Sequence, residues 1–174
     1  MGIRKPILDF ESTVLAKAGL TYSGLQWCEL GNQIIREENL SAKQYYTRLG
    51  VNHTSIDLNG RDGALAINLD YPISSDLTDR FDVVTDYGTL EHVNNQYQAF
   101  QNIHRLCKAN GIMLHVLPLS GHWEGHCRYY YDQNFALRFA EAAGYRLICS
   151  RVLNEFPYDI DRNGSFEFHV GSTI

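Results

Sequence analysis

Residues 81–118 are the most informative stretch of the sequence, because they read as a strand, a helix and a second strand. Residues 81–85 are a short apolar run with β-branched side chains, which is typical of a strand buried on both faces. Residues 112–118 form another such run. Between them, apolar residues recur at helical spacing: Tyr97, Phe100, Ile103, Leu106 and Cys107. This order predicts a right-handed crossover in a parallel sheet.

Ligands of such sheets bind beyond the carboxyl ends of the strands. The chemistry is therefore expected in residues 87–92, which follow the first of these strands, and in the turn after Pro118, which follows the second.

The same block carries a family resemblance. An acidic-hydrophobic strand is followed by Leu-Glu-His-Val at 90–93, and a helix then ends in Leu-x-Lys-x-x-Gly at 106–111 before an apolar strand. This pattern resembles the second half of a class I S-adenosylmethionine-dependent methyltransferase, and the likeness runs from about Leu25 to the C-terminus. It implies an α/β fold with one Rossmann-like, doubly wound sheet. The sheet would be mostly parallel with an antiparallel C-terminal strand, and helices would cover both faces.

Length and patterning predict a single domain over residues 1–174. Residues 1–24 would be a leading helix and loop, and residues 25–174 the core. The apolar face of the leading helix comprises Ile7, Phe10, Val14, Leu15 and Ala18. A further helix is expected after Asp132, then a strand at 145–152 and an alternating, antiparallel strand at 165–170.

Charge and cysteine content bear on the class of binding partner and on the cellular compartment. The net charge is −5, and the four lysines all precede Ala109, so no basic stripe is available for general nucleic-acid binding. No cysteine belongs to a C-x-x-C pair, which favours reduced thiols in an intracellular protein. The sequence shows neither a signal segment nor an apolar run long enough for a membrane span. We therefore expect a cytoplasmic protein and leave a homo-oligomer open.

The first glycine turn follows a predicted strand at 25–30. The resembled family has an acidic-x-Gly-x-Gly-x-Gly turn here; Glu29 and Gly31 match it, but Gln33 stands where the second glycine belongs. The resemblance implies that Glu29 takes the amino group of the methionine part of S-adenosylmethionine. Gly31, Asn32 and Gln33 would then form a tightened cofactor turn. The alternative is an ordinary exit from a strand.

The next two strand ends are candidates for the nucleoside. A strand at 53–58 ends at Asp57 and Leu58, and an acid at that position can accept both hydroxyls of a ribose, although Asp57 could also simply open a turn. A third short strand is predicted at 63–70. The resemblance implies that Asn68 or Asp70 meets the adenine amino group, with Leu69 against the ring; the sequence does not separate the two.

Tyr87 and Gly88 are expected to flank the methionine end of the cofactor, because an aromatic face stabilises a cation such as a sulfonium. The adjacent Glu91 and His92 could supply half of a metal site. The positions where their partners would be sought hold Gly88 and Gln96, which are not suitable ligands. More often, such a glutamate orients the helix and such a histidine packs against the cofactor.

Residues 120–131 are rich in histidine and aromatic residues and follow a buried strand. A zinc site would draw on His115, His122, His126 and Cys127, but no C-x-x-C pair exists and His115 lies mid-strand, so no metal is predicted. A substrate pocket is the better functional interpretation. His122 or His126 would remove a proton from the acceptor, with Trp123 and the tyrosines as walls and Arg128 holding a carboxylate. A packed lid or a subunit contact is the alternative.

The sequence as a whole predicts an S-adenosylmethionine-dependent methyltransferase acting on a small molecule. No Asn/Asp-Pro-Pro-Tyr motif or Pro-Cys pair is present, which disfavours methylation of nucleic-acid bases. A nicotinamide oxidoreductase would need the full glycine fingerprint and a hydride-site pair such as Tyr-x-x-x-Lys, and neither occurs. A non-catalytic binding or assembly protein with a degenerate cofactor turn is the alternative from a different class.

Overall fold

A computed structural model describes residues 2–153 and 165–172. Its main sheet has six strands, which are β1 (Gln26–Leu30), β4 (Asn52–Ile56), β5 (Phe81–Tyr87), β6 (Cys107–Pro118), β7 (Tyr145–Leu153) and β8 (Ser165–Ser172). Two short strands, β2 (Ile34–Ile35) and β3 (Leu40–Ser41), form a separate antiparallel pair.

The strand order in the main sheet is β4-β1-β5-β6-β8-β7. The first four strands in this order run parallel to one another, and β8 runs antiparallel to both β6 and β7. The segment 81–118 therefore forms the crossover that its sequence predicts. The expected Rossmann-like fold, mostly parallel with an antiparallel C-terminal strand, is confirmed.

Within the described residues, four α-helices accompany the sheet, namely α1 (Lys5–Lys17), α2 (Ala42–Arg48), α3 (Gln96–Leu106) and α4 (Phe135–Ala143). Two separate apolar clusters, one containing the buried faces of α1 and α2 and the other those of α3 and α4, place helices on both sides of the sheet. The start of α2 is a capping box, since the Gln44 amide donates to Ser41 Oγ and the Ser41 amide donates to Gln44 Oε1. In the described part of the chain, none of the helices has the length and apolar character needed to cross a membrane.

One predicted strand is wrong. Residues 63–70 do not form a strand; Leu65 alone makes a single parallel bridge, to Ile56. Side chains satisfy the backbone here instead of a ladder: Asn68 Oδ1 accepts from the Asp70 amide at 2.9 Å, and Asn102 Nδ2 donates to the Leu69 carbonyl at 3.1 Å. Such local side-chain bonds compete with sheet formation.

The junction between α3 and β6 also differs from expectation. Lys108, Asn110 and Gly111 suit the end of a helix, yet β6 begins directly at Cys107, which pairs with Phe81. Asn110 takes a φ of 63° inside this strand, and the register shifts between Phe81 and Val83. The turn-forming residues therefore make an irregularity within the strand.

Candidate active site

A cavity opens at the carboxyl edge of the parallel sheet. Its volume is about 180 Å³, which is smaller than the range of about 300–1,000 Å³ usual for small-molecule sites. The end of β4, the segment that replaces the third strand, and the turn after β5 supply its walls. Its lining residues are Ile56, Asp57, Leu58, Ile67, Asn68, Leu69, Asp70, Thr89, His92, Val93 and Asn94. Five residues predicted to meet the nucleoside, Asp57, Leu58, Asn68, Leu69 and Asp70, thus share one hollow.

Asp57 links this cavity to the first glycine turn. Its Oδ2 accepts from the Asn32 amide at 2.8 Å, and its Oδ1 accepts from the Asn59 amide at 2.8 Å. The Asn32 side chain donates in turn to Asp62 Oδ2 at 2.9 Å. Each carboxylate oxygen has two lone pairs, so Asp57 is held in place and keeps capacity for further donors.

Asp70 is fixed by the start of α3. Its Oδ1 accepts from the Asn95 amide at 2.7 Å and its Oδ2 from the Asn94 side chain at 3.1 Å. The first of these bonds is the main cause that lowers the pKa of Asp70. Asp70 therefore spends much of its acceptor capacity within the protein, whereas the Asn68 side chain makes one backbone contact, to the Asp70 amide.

The space above Gly31 is filled by the protein's own side chains. Gly31 has a φ of +88°, and a Cβ built on it would lie 2.6 Å from Thr89 Oγ1 and 2.8 Å from Gln33 Nε2. Thr89 Oγ1 donates to the Leu30 carbonyl at 2.9 Å, and Gln33 Nε2 donates to the Tyr87 carbonyl at 3.3 Å. The residues present therefore fit the adenosine part of S-adenosylmethionine, while its methionine part needs Gln33 or Thr89 to move.

Glu29 does not lie open at the edge of the sheet. It is 1% exposed, and its Oε2 is 3.3 Å from Nε2 of the equally buried His53, whose ring stacks on Tyr46 of α2. Burial raises the pKa of Glu29, and His53 opposes that rise. In this conformation, the predicted ligand of the cofactor amino group faces a protein partner.

The prediction for the Tyr87 ring is wrong. Its side chain packs in the cluster beneath α1 and α2, and its hydroxyl donates to Glu11 Oε2 at 2.6 Å. Side chains alternate across a strand, and Tyr87 falls on the face occupied by Glu11 and Tyr46, whose hydroxyl donates to the same oxygen at 2.7 Å. Of the predicted pair, Gly88 is left at the turn after β5.

Asp86 holds that turn. Its Oδ1 accepts from the amides of Thr89 and Leu90, both at 3.1 Å, and its Oδ2 lies 3.1 Å from His115 Nδ1 on β6. All of its contacts are buried or partly buried. The carboxylate thereby joins two strands to the short 3₁₀ turn Leu90–His92.

The aromatic segment after β6 is pinned to the mouth of the cavity. The hydroxyls of Tyr129 and Tyr131 donate to the Asn94 carbonyl at 2.7 Å and to Gln96 Oε1 at 2.6 Å. Tyr130 donates to the Trp123 carbonyl at 2.8 Å and so closes the segment on itself. These contacts are those of a packed cover over the edge of the sheet.

The two predicted catalytic histidines lie in different surroundings. His122 lines a shallow depression with Tyr130. The His126 ring lies 5.3 Å from the ring of His92, which is part of the cavity wall, and 5.3 Å from Trp123. Burial lowers the pKa of both His126 and His92, and His126 contributes to the shift at His92. Neutral imidazoles are favoured at this position.

Sequence reasoning missed part of the cavity wall. Ile56, Ile67, Val93 and Asn94 line the cavity although the sequence did not indicate them, and Thr89 lay within the expected range 87–92 without being named as a site residue. The predicted crossover already indicates that the turn after β5 meets the ligand, and this signal could have extended the candidate set beyond Gly88.

Comparison with known proteins agrees with this geometry. Residues 44–115 match the model of a family described as "Methyltransferase domain". The match begins in α2 and ends within β6, so it spans the strand end at Asp57 and the crossover as far as residue 115. No curated protein sequence matches the chain.

Solved structures share the fold at low sequence identity. A 1,6-didemethyltoxoflavin N1-methyltransferase from Burkholderia thailandensis, solved with S-adenosylhomocysteine, has a TM-score of 0.66 at 14% identity, over 97% of this chain and 81% of its own. An S-adenosylmethionine-dependent methyltransferase from Mesorhizobium loti has a TM-score of 0.66 at 12% identity, over 92% and 96%. The [4+2]-cyclase SpnF has a TM-score of 0.63 at 13% identity, over 95% and 80%. At such identities the likeness shows the fold.

The cofactor expected for this fold is S-adenosylmethionine, and the family match agrees with it. Taken together, the crossover, the cavity at its carboxyl edge and the match over residues 44–115 show that the chain resembles S-adenosylmethionine-dependent methyltransferases in fold and, over that stretch, in sequence.

Proposed function

We propose that this protein transfers a methyl group from S-adenosylmethionine to a small-molecule acceptor. The observation that carries the proposal is the cavity at the carboxyl edge of the sheet, where the strand end at Asp57 meets residues 67–70. Ligands of open parallel sheets bind at this position. Together with the methyltransferase-domain match, the cavity favours this activity over the other candidates.

Within the cavity, Asp57 would accept the ribose hydroxyls with the lone pairs that its two backbone contacts leave available. Leu58 and Leu69 would pack against the nucleoside, since both line the hollow. Asn68 is the better candidate for the adenine amino group, because Asp70 already accepts from Asn94 and Asn95.

The cofactor supplies a methyl group that is already reactive because it is bonded to a sulfonium. The chain therefore has to align the acceptor and exclude water. The pinned aromatic segment covers the edge of the sheet where an acceptor would enter. Of the two predicted bases, His126 is the better placed, because its ring contacts His92 of the cavity wall. A base is needed only where the acceptor starts protonated.

A non-catalytic binding protein remains the second candidate, and one observation favours it. Gln33 and Thr89 occupy the space over Gly31 where the methionine part of the cofactor would lie. The fold neighbour named as a [4+2]-cyclase also indicates that this fold is compatible with other activities.

Calorimetry with S-adenosylhomocysteine, adenosine and NAD tests the proposal. We expect binding of the first two and none of NAD. Asp57→Asn keeps the side-chain shape and one acceptor oxygen, and should weaken both nucleosides by about tenfold, because hydrogen bonds to a charged group contribute about 1.5–3 kcal/mol. Asp76→Asn, at an exposed position in the 3₁₀ turn Ser75–Leu77, is the matched control.

The outcomes separate the candidates. Failure of the native chain to bind S-adenosylhomocysteine would favour the non-catalytic protein. Equal affinities in the Asp57→Asn and Asp76→Asn variants would show that the nucleoside does not occupy this cavity. Binding of NAD alone would favour the oxidoreductase.

A further inference from the structure

Three potential metal ligands converge beside the cavity. One carboxylate oxygen of Glu91 and one ring nitrogen each of His92 and His126 all lie within 4.8 Å of one another. His92 Nε2 is 3.8 Å from Glu91 Oε1, which is too long for a hydrogen bond. The sequence places His126 more than thirty residues away from the other two. The fold therefore brings the adjacent pair Glu91 and His92 together with a histidine that the sequence does not place beside them.

Two backbone contacts bring the distant histidine into place. The amides of Arg128 and Tyr129 both donate to the Glu91 carbonyl, each at 3.1 Å. The Tyr129 hydroxyl adds its bond to the Asn94 carbonyl. His126 is thus anchored two residues from a fixed contact with Glu91 itself.

Among the described residues, the Glu91 carboxylate has no hydrogen-bond partner. Its side chain is 1% exposed, and neither oxygen accepts a hydrogen bond from any residue within 2–153 or 165–172. A buried polar group without a partner costs about 1–3 kcal/mol, and more when it is charged. Such a group is expected where a cation completes the site.

We propose that Glu91, His92 and His126 bind a divalent first-row transition-metal ion. Two imidazoles and one carboxylate are a common protein donor set for Zn²⁺ and Fe²⁺. Metal bonds of about 2.0–2.2 Å require the three ligand atoms to draw closer together. The two histidines can supply that movement, because both are exposed and His92 is exposed by 48% of its side chain.

The position of His92 decides what the ion would face. His92 lines the nucleoside cavity and also belongs to the ligand set. Three protein ligands leave at least one coordination position open for water or an oxygen atom of a bound molecule. A nitrogen that holds the ion cannot accept a proton, so metal binding would replace the role of His126 as a base.

The donor set also predicts a preference among ions. Imidazole nitrogen suits Zn²⁺, Co²⁺ and Ni²⁺, whereas Mg²⁺ prefers oxygen ligands and retains its water. We expect Co²⁺ to bind more tightly than Mn²⁺, following the general order of affinity, and Mg²⁺ to bind most weakly.

Titration of the untagged, metal-free chain with Co²⁺ tests this site, read by visible absorption and by calorimetry. We expect one ion per chain. Glu91→Gln and His126→Gln should each weaken binding by at least about tenfold, since even the loss of an outer partner of a metal ligand costs about 10- to 100-fold. His104→Gln is the matched control, because that histidine lies on α3, contacts Tyr145 of β7 and is outside the ligand set.

Thermal unfolding of each variant shows whether it has folded. If Glu91→Gln does not fold, His126→Gln, which lies on the exposed segment, still tests the site. The proposal is overturned if the native chain fails to bind Co²⁺ at a 1:1 ratio. It is also overturned if Glu91→Gln and His126→Gln bind as the His104→Gln control does, or if Mg²⁺ binds best. The measurement uses no nucleoside, and Asp57→Asn should leave it unchanged, so it does not depend on the proposed methyl transfer.

Discussion

We expect Gln33 to limit how much of the cofactor the proposed site can accept. Its side chain lies beside Gly31, where the family pattern would have a second glycine, and Gln33 is only 5% exposed. Its one described donor contact is the 3.3 Å bond from Nε2 to the Tyr87 carbonyl. A bound methionine part would have to displace this side chain, whereas adenosine would not. Gln33→Ala should therefore strengthen binding of S-adenosylhomocysteine alone.

The magnitude follows from the contact that is lost. A protein hydrogen bond contributes a net free energy of about 0.5–1.5 kcal/mol, and about 1 kcal/mol corresponds to a fivefold change in affinity. We expect Gln33→Ala to raise the affinity for S-adenosylhomocysteine by about fivefold and the affinity for adenosine by less than about twofold. The Thr89 hydroxyl, which stays in place, would keep the gain from growing larger.

Calorimetric titration of both ligands into the native chain, Gln33→Ala and Gln101→Ala measures this difference. Gln101 is exposed on α3 and serves as the control for removing a glutamine. Weaker binding of S-adenosylhomocysteine to Gln33→Ala would refute the reasoning, because Gln33 would then be a ligand of the cofactor. An equal gain for adenosine would refute it as well, because the effect would not be confined to the methionine part.

Two further predictions concern stability. Burial, opposed by tyrosine hydroxyls such as that of Tyr87, raises the pKa of Glu11 from 4.5 to about 7. This shift corresponds to a change in the free energy of unfolding of about 3 kcal/mol, at ~1.36 kcal/mol per tenfold change in proton affinity. Because the folded-state pKa is the higher one, this stability is complete below pH 4.5 and is lost as the pH rises through 7. Urea unfolding should show this loss in the native chain and in the exposed Asp9→Asn control. The same dependence of the unfolding free energy on pH in Glu11→Gln would contradict it. Asn102→Ala removes the buried amide that binds the Leu69 carbonyl and the Ile73 amide. It should lower the free energy of unfolding by about 2–3 kcal/mol and weaken adenosine binding. Unchanged adenosine affinity in a folded variant would show that Asn102 does not position the cavity wall.

Much of the fold could be predicted because its signals are local. The apolar runs of β5 and β6, the helical stripe of α3 and the capping box at Ser41 each lie within a few residues of one another. The cavity wall at the end of β4 could be predicted for the same reason, since an acid such as Asp57 at the end of a strand is visible in the sequence.

The remaining features depend on contacts between distant residues. Tyr87 turns away from the edge of the sheet because its hydroxyl meets Glu11, which is 76 positions earlier in the chain. Glu29 faces His53, a partner that only the pairing of β1 with β4 brings near. Asn102 replaces the expected third strand with side-chain bonds. No periodicity or spacing reports such pairings.

The 3₁₀ turn Leu90–His92 has two neighbours at once. On one side His92 borders the cavity proposed for the nucleoside, and on the other the Glu91 carboxylate faces the proposed cation. Asp86 holds the backbone of this turn at Leu90, so one anchored turn carries both side chains. Whatever factor a bound cation applies to nucleoside affinity, the nucleoside must apply to cation affinity in return. Binding of either occupant would therefore change the affinity for the other through a single turn.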